Sequence, residues 1–222
     1  MELLQDISCA NDAFLIGYLA GDGCFRQDKR KLVNGGYSLH KRLYISDTCD
    51  LDILEWIVTH YPNTGIKTRK RVINNIERTL HTLYFPKAFM ISLSNFGLFH
   101  KKPNRIYENI PDSFFIHYLQ GLSLADGCVH IRNRLDCTTP RLNFCIAHTS
   151  ENLFSVLQNI LHTKYNYPIK LNRRTKENVI YLDCQHTKHN IKFLKTLYID
   201  NICPVNHAKV KKVKAYLNTY AS

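Results

Sequence analysis

Two aspartates of this chain stand in the same local setting. Leu15-Ile-Gly17-Tyr-Leu-Ala-Gly21-Asp22-Gly23-Cys24 aligns with Leu119-Gln-Gly121-Leu-Ser-Leu-Ala125-Asp126-Gly127-Cys128 at a constant offset (119 − 15 = 104), with five of the ten positions identical. Each run is apolar and ends at Asp-Gly. Small residues four apart, Gly17 with Gly21 and Gly121 with Ala125, leave a smooth strip on one helix face, a device that lets two backbones approach closely. If the two runs are helices packed on each other, their C-terminal ends meet and bring Asp22 and Asp126 together. Two carboxylates there repel each other and the negative ends of both helix dipoles. A divalent cation removes the conflict, and hard oxygen ligands suit Mg²⁺. With a basic surface around it, such a centre fits phosphodiester hydrolysis. A single Asp-Gly reads more simply as a helix-ending turn; the duplication reverses that preference.

The charge supports an anionic partner. Among 222 residues, 30 Lys+Arg stand against 18 Asp+Glu, so the formal net charge is +12. The basic residues fall in matching places in both halves, which points to an extended polyanion rather than one phosphate pocket. At 45% hydrophobic residues the chain can bury a real core, and nothing in its composition indicates disorder. No apolar run approaches the roughly 18 residues of a membrane span, and the start Met1-Glu2-Leu3-Leu4 lacks the basic opening of a secretory signal. A membrane or secreted role is therefore disfavoured. The eight cysteines form no Cys-x-x-Cys pair, so free thiols in a reducing, intracellular compartment are expected, cytoplasm and organelle matrix being indistinguishable. Cys184-Gln-His186-Thr-Lys-His189 offers three zinc ligands without a paired fourth and reads as a plain turn.

The elements that must position the aspartates repeat as well. Asn11 or Asp12, and Asp112 or Ser113 after Pro111, are N-cap candidates for a helix running to each Asp-Gly pair. A strand pair follows, over about 24–46 with a turn at Gly35-Gly36, and over about 128–147. Tyr44-Ile45-Ser46-Asp47-Thr48 matches Cys145-Ile146-Ala147-His148-Thr149 at an offset of 145 − 44 = 101, so the second copy has lost three residues, from the turn around Asn34. Helices at 51–61 and 151–165, strands near 66–73, 80–93, 168–175 and 178–185, and a last helix per copy complete an α+β fold of tandem αββαββα repeats. The predicted units are residues 1–100 and 112–222, joined by a linker at 101–111 whose Pro and Asn residues break helix.

At Leu15–Gly23 and Leu119–Gly127 the sequence resembles the LAGLIDADG homing endonucleases in their single-chain, two-motif form. The Leu, the first Gly and the terminal Asp-Gly are kept in both motifs, while the sixth motif position, acidic in the family name, is Ala20 and Leu124. The resemblance implies that the motif helices form the domain interface, and that the sheets form a DNA-binding saddle. It implies that Asp22 and Asp126 bind Mg²⁺, at metal sites that include Gly21 and Ala125, and that each cleaves one DNA strand. It further implies a water-positioning polar residue after the second strand, here Asp47 and His148, and a basic residue near the end of each copy. Lys101 or Lys102 matches the latter in copy one; in copy two the offset lands on Val205 and Asn206, with Lys209 the nearest cation.

Period-two reading sets Arg42 and Tyr44 against buried Leu43 and Ile45, and Arg141, Asn143 and Cys145 against Leu142, Phe144 and Ile146. Arg26, Asp28 and Arg30, then Lys67, Arg69 and Arg71, continue the polar face in copy one; Arg132, Arg134, Lys170, Asn172 and Arg174 do so in copy two. Such faces suit base edges in the major groove. The expected function is a site-specific, metal-dependent double-strand DNA endonuclease that acts as a monomer on a long asymmetric target, in intron homing or with an intein. Mg²⁺ is the expected cofactor, Mn²⁺ substitutes, and Ca²⁺ supports binding without cleavage. The alternative is an intron RNA maturase or a non-cleaving DNA-binding protein on the same fold.

Overall fold

The computed structural model of the chain describes residues 6–47, 51–94, 96, 110–134, 137–148, 151–167, 170–174, 179–183, 187–203 and 206–220. The first copy runs α1 (Ala10–Asp22), β1 (Cys24–Lys31), β2 (Tyr37–Asp47), α2 (Leu51–His60), β3 (Gly65–Ile73), β4 (Ile76–Tyr84) and α3 (Lys87–Ser94). The second runs α4 (Phe115–Ala125), β5 (Gly127–Arg134), β6 (Cys137–His148), α5 (Glu151–Tyr165), β7 (Lys170–Arg174), β8 (Val179–Asp183) and α6 (Thr187–Leu194). A π turn, Lys195–Ile199, and a further helix α7 (Ala208–Tyr220) follow. This is the expected duplicated αββαββα order with one helix added. The connection between β1 and β2 spans residues 32–36.

Each copy makes one four-stranded antiparallel sheet, in the orders β1-β2-β4-β3 and β5-β6-β8-β7. One face of each sheet is packed under helices. Leu43, Ile45 and Leu83 in the first sheet, and Leu142, Phe144 and Ile146 in the second, are buried as the two-residue period required. A single apolar core joins both copies through α1 and α4, whose side chains are buried nearly all round.

Several boundaries differ from expectation for local physical reasons. Helix α1 begins at Ala10 behind Cys9, and neither Asn11 nor Asp12 caps it. Asp12 sits one turn in, where its carboxylate accepts hydrogen bonds from Ser8 Oγ at 2.9 Å, Ser8 N at 3.3 Å and Tyr61 Oη at 2.8 Å. That network ties the end of α2 to the start of α1. Burial and the adjacent carboxylate push the Tyr61 phenol far above its ordinary range, so it stays a neutral donor. Asp112 and Ser113 do not cap α4 either, because residues 112–114 form a 3-10 turn ahead of it. Strand β4 starts four residues earlier than expected and stops at Tyr84 rather than continuing to 93. Asn74 and Asn75, with φ of 52° and 62°, form the two-residue turn that begins it, and Pro86, which has no N–H for the ladder, ends it.

Residues 101–109 of the predicted linker at 101–111, and the zinc-like residues 184–186, lie outside the described residues. Cys9, Cys24, Cys128, Cys145 and Cys203 form no disulfide. No helix among the described residues is long and apolar enough to cross a membrane.

Candidate active site

The two motif helices pack with their backbones in contact. A Cβ on Gly17 would lie 1.9 Å from the Tyr118 carbonyl oxygen, and one on Gly121 would lie 2.1 Å from that of Phe14. One turn on, a Cβ on Gly21 would stand 2.4 Å from Ala125 Cβ and 3.3 Å from the carboxyl carbon of Asp126. The strip of small residues is therefore the crossing itself, and it carries both aspartates to the same end of the helix pair.

Asp22 closes the last turn of α1, and Asp126 is the first residue past α4. Both are half-buried. The glycine after each is required by space rather than by a left-handed backbone, since Gly23 has φ −62°. A Cβ at Gly23 would lie 2.4 Å from the Leu19 carbonyl oxygen, and one at Gly127 would lie 2.2 Å from that of Ser123. The chain leaves each helix by passing tightly over its last carbonyls, and this turns the strand away while the aspartate stays at the helix end.

The end of α4 already holds a cation. Lys209 on α7 donates its ammonium to the carbonyl oxygens of Ser123 at 3.4 Å, of Leu124, and of Ala125 at 3.1 Å. This adds a charged donor to the carbonyls at the helix end and opposes the negative end of its dipole. Tyr198 donates to the Ser123 oxygen at 3.3 Å, and burial holds that phenol well above its usual range. Lys209 was only the nearest cation on the sequence; a helix beginning at Ala208 brings it 84 residues back to Ala125. Its counterparts in copy one, Lys101 and Lys102, lie outside the described residues.

The two half-buried carboxylates beside this helix end are hard oxygen donors of the kind a divalent cation takes. Asp22 and Asp126, with main-chain oxygens at Gly21 and Ala125, are the groups able to hold one. Among the described residues no cluster of three or more His, Cys, Asp or Glu side chains forms a closed metal cage.

Strand register sorts the remaining residues into rows. Cys24 pairs with Tyr44, Arg26 with Arg42, Asp28 with His40 and Arg30 with Ser38. Tyr44 pairs in turn with Tyr84, and Tyr84 with Gly65, which places Lys67, Arg69 and Arg71 in the same row. In the second sheet Cys128 pairs with Cys145, His130 with Asn143 and Arg132 with Arg141. Cys145 pairs with Asp183 and Asp183 with Lys170, and Asn172 and Arg174 follow two and four residues on. Register shifts between Arg132 and Arg134, close to Pro140, so Arg134 faces Cys137. Arg26, Lys67, Arg69 and Arg71 are exposed, and Tyr44 and Asn143 half-buried. Lys67 Nζ stands 5.6 Å from the centre of the Tyr84 ring, within cation–π reach.

Asp47 and His148 fall in the other row. They pair with His81 and Ile180, in line with the core residues Ile45 and Ile146, at the last positions of β2 and β6. The sequence reading missed Arg78, which faces Arg71 on the outer row, and His130. The Asn74-Asn75 turn, which sets the register of β4, was the signal for Arg78.

The fold so defined, two αββαββα repeats joined through a glycine-contact helix pair, is that of the LAGLIDADG homing endonucleases. The chain is similar to I-AabMI bound to uncleaved DNA, at 16% identity with a TM-score of 0.61 over 94% of this chain and 89% of that one. It is similar to I-GzeII in complex with its DNA target, at 12% identity and TM-score 0.64 over 93% and 88%. I-SmaMI bound to an uncleaved DNA target with calcium ions matches at 11% and 0.59 over 95% and 98%. No family model matches the chain, and no curated protein does.

Proposed function

We propose that this chain is a site-specific, metal-dependent double-strand DNA endonuclease of the homing type, acting as a monomer inside the cell. The observation that carries the reading is the pair of equivalent aspartates, brought to one end of a pseudo-symmetric helix pair that lies between two sheets with basic outer rows. One chain supplies both halves, so the target is long and asymmetric. The same rows make duplex DNA the partner: Arg26, Lys67, Arg69, Arg71 and Arg78 are exposed on one sheet face and can span successive phosphates and base edges. The structural relatives with DNA bound agree with it.

Mg²⁺ is the proposed cofactor, with Mn²⁺ as its substitute. When bound, the cation supplies charge stabilisation at the phosphate and a more acidic water. The chain's own part is to hold it with Asp22 and Asp126, one from each helix, so that each half addresses one strand. Lys209 brings a fixed positive charge beside Asp126 in the second half, and Lys101 or Lys102 is proposed for the first. Asp47 and His148, which end equivalent strands, are the proposed water-orienting groups. Selecting cleaved sites from a randomised duplex library, with Mg²⁺, Mn²⁺, Ca²⁺ or EDTA, tests the reading. Linear product with Mg²⁺ and Mn²⁺, and binding without product in Ca²⁺, is the expected result; no cleaved site under any metal overturns it.

Two further outcomes are expected. Affinity for non-cognate duplex should fall steeply with salt, because the five exposed cations of the first sheet alone, at a slope of about −0.9 per neutralised phosphate, give a log–log slope of about −4 or steeper. Titration by fluorescence anisotropy between low and physiological salt checks this, and a slope near zero removes the nucleic-acid reading. Lys209→Met should slow one strand more than the other, so that nicked circles accumulate on a supercoiled plasmid, and should cost about 0.5–1 kcal/mol of stability through the lost helix-end charge. Equal slowing of both strands would show that Lys209 serves only as a cap.

A further inference from the structure

Just past each motif the two copies differ in one chemically decisive position. In copy one Cys24 faces Tyr44 across β1 and β2. In copy two Cys128 faces Cys145 across β5 and β6. Residues 44 and 145 are the same position of the repeat, so the second copy holds a pair of thiols where the first holds a thiol and a phenol. In an antiparallel pair, facing Cα atoms lie about 4.5–5.5 Å apart, inside the range of about 4.4–6.8 Å that a disulfide spans. Neither is in a disulfide. Cys128 is exposed and Cys145 half-buried. His130, two residues along the same row, places Nε2 3.1 Å from Cys128 Sγ.

We propose that Cys128 and Cys145 form a redox dithiol that closes to a cross-strand disulfide under a disulfide oxidant of the glutathione class. Cys128, as thiolate, attacks one sulfur of the oxidised glutathione; that S–S bond breaks, and a glutathione thiolate leaves and takes up the proton lost by Cys128. Cys145 then gives up its proton and attacks Cys128 Sγ, expelling the second glutathione as a thiol. The protein loses two electrons, and the oxidant is reduced to two thiols. Cys128 is the entry point because it is exposed, and Cys145 resolves the mixed disulfide because it lies across the ladder. Cys24 has no second thiol opposite it, so its chemistry stops at the mixed disulfide. The new bond ties the first turn of β5, two residues after Asp126, to the strand that carries Arg141 and Asn143.

The internal comparison provides the test. The folded, reduced full-length chain is treated with oxidised glutathione, the remaining thiols are alkylated, and peptides are mapped by mass without reduction. Cys24 is expected to carry glutathione, while Cys128 and Cys145 appear as one linked peptide that dithiothreitol releases. Cys145→Tyr, which gives copy two the residue of copy one, should raise glutathione on Cys128 about fivefold or more, and Cys145→Ser, a smaller change, should do the same. Glutathione on wild-type Cys128 at the level of Cys24 with no linked peptide overturns the proposal, as does a disulfide from Cys128 to any other cysteine. A second arm rests on the proposed DNA reading: duplex bound in Ca²⁺ should slow formation of the linked peptide about tenfold, because it covers the outer row. A disulfide that forms equally fast with duplex present counts against that DNA face and leaves the dithiol standing.

Discussion

Replacing either motif aspartate, Asp22→Asn or Asp126→Asn, is expected to lower double-strand cleavage about a thousandfold or more, equivalent to about 4 kcal/mol of barrier, while leaving site binding intact. The amide keeps the size and the hydrogen-bonding reach of the carboxylate but not its charge, so the loss falls on the metal and not on the packing of the helix ends. In EDTA each variant should bind duplex as well as the wild type or slightly better, because one charge that repels phosphate has gone. The measurement is cleavage of a supercoiled plasmid carrying the selected site, beside binding in Ca²⁺. Linear product from either variant at the wild-type rate would reduce both Asp-Gly pairs to helix-ending turns, and the proposed mechanism would fall with them.

The second large effect is on folding. Gly17→Ala or Gly121→Ala inserts a methyl group where a backbone carbonyl oxygen already lies, at 1.9 and 2.1 Å from the new carbon. A side chain could swing away; a helix backbone cannot. The helices must separate along their whole contact, so the cost should reach or exceed the upper end of the about 1–3 kcal/mol typical of overpacking. Gly65→Ala is the control. Nothing lies within 4 Å of a Cβ there, so its effect should be near zero or slightly stabilising. Denaturant midpoints at unchanged slope read the difference. If Gly17→Ala unfolds at the same midpoint as Gly65→Ala, the helix crossing described above is wrong.

How much of this was legible in the sequence follows from the range of each interaction. The duplication, the Gly-x-x-x-small strips and the two-residue alternation are local patterns, and they yielded the αββαββα order, the helix pair and the buried rows Leu43, Ile45, Leu142, Phe144 and Ile146. Boundaries slipped where a tertiary partner overrode a local preference. Asp12 looked like a cap and serves as the acceptor for Tyr61, 49 residues away. Strand β4 was misplaced because the apolar run through Leu80–Leu93 hides the stop at Pro86, and with it went Arg78.

The sequence by itself determined that two aspartates end equivalent apolar helices, that the chain is strongly basic in both halves, and that copy two replaces Tyr44 with Cys145. These are matters of residue type and spacing. Only the tertiary structure decided that the glycine strips of α1 and α4 touch each other, that Lys209 reaches the carbonyls at the end of α4, and that Cys128 lies opposite Cys145. In each case the partner is distant along the chain, and which distant groups meet is set by how the helices cross and how the strands register, not by the residues alone.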